Sequence, residues 1–149
     1  MNTKSGRFGL VNGLIGIAAG VVCASALGDN ISGADKVLCA SATVVLCVDS
    51  GACESMSPEE LNVPQFINVD LKKRRLHSTE ASGQNRSTKI NKVTRDEGFI
   101  YLQGIEDGLP DQTDGGGWTI SIGKDTGRMV GAGAGKQLGL ILFGACTEN

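Results

Sequence analysis

The residues best suited to chemistry here are four cysteines. The chain holds five cysteines and one histidine. Cys23 falls in an N-terminal leader, described below, which leaves Cys39, Cys47, Cys53 and Cys146. An even number of cysteines in an exported domain points to two disulfides, and four cysteines allow three pairings. Cys47 and Cys53 flank the short loop 48–52, so a bridge between them closes easily. That choice pairs Cys39 with Cys146 and closes a loop of about a hundred residues, worth roughly 4 to 5 kcal/mol in the chain-entropy picture. The alternative is unpaired thiols in a reducing compartment, which requires the leader assignment to fail. No two cysteines have C-x-x-C spacing, so zinc-ribbon or thioredoxin-like chemistry has no support.

The other candidates are weaker. His77 is the single histidine and would need a nucleophile and an orienting acid beside it to hydrolyse anything. There is no G-x-S-x-G, and oxidised cysteines cannot serve as nucleophiles. Gly131-Ala132-Gly133-Ala134-Gly135-Lys136 resembles a phosphate loop until the spacing is checked. Val130 stands where the first glycine belongs, and Gln137 replaces the Ser or Thr that would hold magnesium. Small residues on a strand that approaches its neighbour closely are the better account of this run. Asp107, Asp111 and Asp114, with Glu106, lie in a Gly-rich loop but lack EF-hand spacing, so no metal site is expected. Lys72-Lys73-Arg74-Arg75 is the densest charge in the chain. It is a candidate for binding an anionic partner, although a solvated strand end guarded by its charges is the favoured reading. Trp118 either joins the core or lines a ligand cavity.

Residues 1–26 have the form of a secretory signal peptide. Lys4 and Arg7 supply the positive start, 10–24 is apolar and uncharged, and Ala24-Ser25-Ala26 is a small-x-small cleavage site. An uncleaved anchor is the alternative. A lipid anchor on Cys23 is disfavoured by Val22 before it. The expected organisation is therefore a leader over 1–26 and one domain over 27–149, exported to the periplasm or secreted. The leader carries no acid, so the domain has 12 basic against 16 acidic residues. That balance disfavours nucleic acid as a partner.

The elements that must position these residues read as strands. Val37 to Val48 is an apolar, β-branched run suited to a buried strand. Ser57-Pro58-Glu59-Glu60 is a capping box with room for one helical turn before Pro64. Phe66 to Leu71 alternates and is expected to continue towards Leu76. His77 to Asn91 is polar and reads as an exposed loop, with weak strand character at 88–93. Phe99 to Ile105 is a strand with Ile100 and Leu102 on one face. Glu106 to Gly117 is turn-rich. Trp118, Ile120 and Ile122 share a face, Lys124 to Gly127 turns, 128–134 returns, 135–137 turns again, and Leu138 to Cys146 is a final strand expected to be buried on both faces. The expected fold is all-β: an up-and-down barrel or barrel-like sandwich of about six to eight antiparallel strands. A filled interior is favoured over a hollow one, because the apolar set is modest.

Several short segments resemble small exported β-rich proteins of Gram-negative bacteria. They are the paired cysteines, Asn62-Val63-Pro64-Gln65-Phe66, Val69-Asp70-Leu71, Trp118-Thr119-Ile120-Ser121-Ile122, Asp125-Thr126-Gly127 and Phe143-Gly144-Ala145-Cys146. The resemblance implies a β-rich periplasmic domain and carries over no activity, cofactor or catalytic residue. Three functions remain in view. The first is a non-catalytic binding or interaction module, with an envelope protein, lipid headgroup or polysaccharide as partner and peripheral membrane contact at most. The second is a carrier of a small apolar ligand inside the barrel. The third, a metal-dependent enzyme, lacks any visible set of acid, base and nucleophile.

Overall fold

Period-two alternation dominates this chain, and the fold follows from it. The computed structural model describes residues 29–106 and 115–149, in which nine strands and one 3-10 turn form. The strands are β1 (Lys36–Val48), β2 (Cys53–Met56), β3 (Phe66–Asp70), β4 (Arg75–Ser78), β5 (Ser87–Arg95), β6 (Phe99–Glu106), β7 (Gly116–Gly123), β8 (Arg128–Ala134) and β9 (Leu138–Glu148). Each pairs antiparallel with its neighbour, and β1 also pairs with β9. Strands β1 and β3 to β9 therefore close an eight-stranded up-and-down barrel, with β2 as an extra hairpin strand on the second half of β1. The leader assigned to 1–26, with Cys23, and the acids Asp107, Asp111 and Asp114 lie outside the described residues.

The seam between β1 and β9 is where closure is decided. The β1 register shifts between Ser41 and Thr43, a bulge that bends the strand and increases its twist. Gly144 sits opposite that bulge, where a Cβ would collide with the Ala40 carbonyl. Glycine there lets β9 come close enough to pair. Cys39 and Cys146 face each other across the seam with their Cα atoms 3.9 Å apart, and their disulfide is buried inside the barrel. Cys47 and Cys53 are bridged across the β1–β2 hairpin, Cα atoms 4.1 Å apart. Both pairings are the ones that loop lengths favour.

One end of the barrel is closed. Ile31 and Ala34 plug it, both essentially inaccessible to solvent. The Ile31 N–H donates to the Lys124 carbonyl (2.8 Å), and the Arg95 guanidinium donates to the carbonyls of Ser32 and Ala34. Above this plug the interior is packed with inward residues such as Val37, Val69, Ile90, Ile100, Leu102 and Ile122. An apolar inside with Asn68, Lys89, Gln103, Thr119 and Ser121 at outward positions is the reverse of a lipid-facing barrel.

The structure departs from the sequence expectations at four places. β9 is buried on one face only, since Ile141 and Phe143 are 40% and 43% exposed. The capping box forms, with Ser57 N–H donating to Glu60 Oε2 (2.8 Å), but the chain continues as turns and not as helix. Asn62 lies in the left-handed region at φ 53, and the short 3-10 turn falls at Glu80–Ser82 instead. The Phe66 strand stops at Asp70, because 71–74 turn the chain with Arg74 at φ 54. The polar stretch after His77 is loop and 3-10 turn only over 79–86; β5 starts at Ser87 and runs to Arg95, longer than the weak strand expected at 88–93, because it needs only every second residue apolar to serve the barrel.

Candidate functional site

The end of the barrel opposite the plug is open and holds an apolar recess of about 300 Å³. That volume is at the small end of ligand pockets. Its walls follow from the pleat. At one level the inward positions run Gly104, Trp118, Gly133, Leu140 and Leu46 from β6 round to β1. One level deeper they run Leu102, Ile120, Gly131, Leu142 and Val44. β8 contributes only glycine at both levels, which adds room to the recess.

Trp118 shows why the room stays open. Its indole lies over Gly104, where a Cβ would collide with the ring. The ring thus covers the glycine on its β6 side and leaves the one on its β8 side bare. The indole N–H is buried without an acceptor among the described residues, so packing over Gly104 holds the ring, not a hydrogen bond.

The glycines differ in what they do. A Cβ at Gly131 would lie 3.4 Å from Leu142 Cβ and 3.6 Å from Ile120 Cγ1. A Cβ at Gly133 would lie 3.4 Å from Leu140 Cγ and 3.5 Å from its Cδ1. These are ordinary contacts, and neither residue has positive φ. The fold does not require glycine at either place. The sequence run Gly131 to Gly135 suggests a close approach of strands, and the structure places it at the outer end of the run: a Cβ at Gly116 on β7 would collide with the Ala134 carbonyl, as one at Gly144 would with Ala40, whereas Gly131 and Gly133 themselves admit a Cβ. The alternation of glycine with Ala132 and Ala134 was the available signal. It puts glycine on the inward face as soon as Met129 is placed inside.

The far wall is a strap, 57–65, that brings Val63 and Pro64 over the recess. Ser41 holds it, its N–H donating to the Gln65 carbonyl (2.8 Å) and its hydroxyl to the Pro64 carbonyl (3.0 Å). Arg86 Nη1 donates to the Asn62 carbonyl at 3.0 Å. The polar rim is largely committed to backbone. Thr88 Oγ1 donates to the Ile105 carbonyl (3.3 Å), and Ser78 Oγ accepts the Arg86 N–H (2.8 Å). His77 and Ser78 are adjacent on β4, so their side chains point to opposite faces and cannot form a nucleophile–base pair with each other. Glu106, the described member of the acidic loop, stands at the rim.

Lys72, Lys73, Arg74 and Arg75 lie at the closed end, remote from the recess. The Lys73 N–H is capped by Asp70 Oδ1 at 2.7 Å, and Arg75 faces Lys89 directly across β4 and β5. The groups with perturbed titrations are not among the residues that line the recess. The Phe99 N–H, at 2.6 Å, is the main cause that holds the Asp96 carboxyl below its ordinary value. Desolvation, then the charge of Asp96, raises the Tyr101 phenol. Glu60 is lowered by the Ser57 N–H and then by the Ser57 hydroxyl.

The site defines a class: a closed antiparallel barrel with a blocked floor and an apolar mouth. No protein-family model, curated protein or solved structure matches the chain.

Proposed function

We propose that this protein is a non-catalytic binding protein that takes a small, mainly apolar ligand into the open end of its barrel. One observation carries the reading. Glycine inside a strand is less stable than alanine by about 0.5–1 kcal/mol, and β8 keeps two inward glycines that the fold does not need. Their consequence is added room in the recess. Two disulfides suit an oxidising compartment, and with the leader they support the periplasm or the exterior of the cell as its location.

Trp118 is the single tryptophan of the chain and forms part of the recess wall, so its fluorescence reports this site alone. Titration with apolar alcohols should shift that emission saturably. Gly133→Val, whose branched side chain would project into the recess beside Leu140, should abolish the shift while the circular dichroism spectrum is retained. An unchanged response in that variant would sink the proposal.

A second reading is favoured by the outer face of β8 and β9. Val130, Ile141 and Phe143 are each at least 40% exposed there, which suits contact with an envelope protein. Phe143→Ser should disrupt such contact and leave the alcohol titration as it was. Loss of the titration in that variant would contradict the separation of the two surfaces.

A further inference from the structure

The two disulfides sit in opposite surroundings. Cys39 and Cys146 are 0% and 2% exposed inside the barrel, so a thiol outside reaches neither sulfur. Cys53 is exposed and Cys47 half-buried, at the end of the β1–β2 hairpin. Thiol–disulfide exchange requires a thiolate to reach one sulfur of the bridge. Access alone divides the two bridges, and only Cys47–Cys53 is open to attack in the folded protein.

The open bridge lies where the strap begins. β2 is four residues long and pairs on one edge only, and all of it is exposed except half-buried Met56. A two-stranded pairing of that size is marginal in water. Closing the short loop between Cys47 and Cys53 favours it by roughly thirtyfold in the chain-entropy picture. The strap follows directly from Met56 and carries Val63 and Pro64 to the wall of the recess. Its far end is held separately, by Ser41 at Pro64 and Gln65 and by Arg86 at Asn62. The strap thus has a fastening at each end, and the near one is a disulfide open to solvent.

We propose that Cys47–Cys53 is a thiol-exchange site through which a dithiol reductant loosens the strap beside the recess. One thiolate of the reductant attacks Cys53 Sγ. The Cys47–Cys53 bond breaks, and Cys47 Sγ leaves with the electron pair and takes up a proton. The second thiol of the reductant then attacks the mixed disulfide. The reductant becomes a disulfide, and Cys53 is released as the second thiol, so two electrons and two protons pass to the protein. With the bridge open, β2 separates from β1 and the near end of the strap is free. The buried Cys39–Cys146 bridge keeps the barrel seam closed throughout. The exchange site stands on the placement of the two bridges, whereas its effect on a ligand rests on the recess being a binding site.

The protein with both disulfides formed is treated with dithiothreitol under native conditions, and the freed thiols are alkylated and located by mass spectrometry. Cys47 and Cys53 should be labelled at least about tenfold faster than Cys39 and Cys146, because only the first pair is accessible. Equal rates, or earlier labelling of Cys39 and Cys146, would overturn the exchange site. Amide hydrogen exchange then reads the strap in the oxidised protein, in the singly reduced protein and in the variant carrying Cys47→Ser with Cys53→Ser, whose bridge is open without any alkylation. The β2 amides and the Val63 N–H, which donates to the Pro58 carbonyl at 2.8 Å, should exchange at least about tenfold faster in both open forms, with β6 and β7 unchanged. Unchanged strap exchange in both would overturn the strap's dependence on the bridge. Release of n-octanol, followed by Trp118 emission, should quicken in the open forms. Unchanged release beside faster strap exchange would overturn control of the recess by the bridge. Absence of an n-octanol complex in every form would overturn the binding reading alone, since labelling and amide exchange are measured without a ligand.

Discussion

Replacing Gly133 with alanine should make the protein more stable and less able to bind. The new Cβ meets Leu140 Cγ, Cδ1 and Cδ2 at 3.4, 3.5 and 3.8 Å, and no backbone atom is among its near neighbours. Relief of the glycine entropy contributes about 0.5–1 kcal/mol. Burial of one methyl group contributes up to about 0.8 kcal/mol more, less here because the recess is open. The net expectation is stabilisation of about 1 kcal/mol. For a domain of this size that corresponds to a rise in Tm of roughly 3–5 °C. Urea denaturation at fixed pH with disulfides intact gives the free energy, and the Trp118 titration gives binding. Gly144→Ala is the paired control. Its Cβ would strike the Ala40 carbonyl at the barrel seam, so overpacking should cost about 1–3 kcal/mol. Stabilisation at Gly133 with weaker binding means that β8 keeps glycine for space. If Gly133→Ala loses more than 1 kcal/mol, comparable to Gly144→Ala, then the fold requires that glycine and the argument for a selected recess fails.

The two disulfides should differ in weight. Cys146→Ser opens a bridge spanning 107 positions and should cost about 5 kcal/mol, whereas Cys53→Ser opens one spanning 6 and should cost about 2 kcal/mol by the same relation; an unchanged Tm for Cys146→Ser would contradict the seam's importance. Asp96 is depressed in the folded protein, so its contribution is full above the ordinary value of 3.8 and is lost as pH falls through the lower folded value. Acid titration of wild type and Asp96→Asn should converge in stability below that range, and a constant difference down to low pH would refute the assignment. Neutralising Lys72, Lys73, Arg74 and Arg75 together should leave apolar-ligand binding intact, because they lie at the closed end. In the same variant, salt-sensitive association with anionic vesicles should disappear; persistence of that association would remove these residues as an anion-binding surface.

Much of this fold is legible in the residues, for reasons that are local. Ile100 and Leu102, or Trp118, Ile120 and Ile122, alternate so cleanly that their strands and inward faces follow directly. Gly127, at φ 61, marks its hairpin as the turn chemistry requires. The disulfide pairing follows from loop lengths. What stays hidden depends on contacts far apart in sequence. Ile31 plugs the barrel from a segment with no periodicity, and its role exists only once β7 and β8 place Lys124 above it. The turn after Ser57 does not become helix: Asn62 takes the left-handed conformation, and Ser41, on β1, holds the strap beyond it at Pro64. Trp118 could be placed on a face but not in a wall, since its orientation is set by Gly104 on a neighbouring strand. The glycines of β8 were visible as a run. That two of them hold space open, and do not admit a close neighbour, is a property of Leu140, Leu142 and Ile120 around them.

The most direct test is a pair of mass spectra, native and denaturing, of the protein purified from the compartment where it acts. The proposed function predicts extra mass that survives native conditions, vanishes on denaturation and is missing from the Gly133→Val protein. A bare chain under both conditions, with no response of Trp118 to any apolar probe, would contradict it.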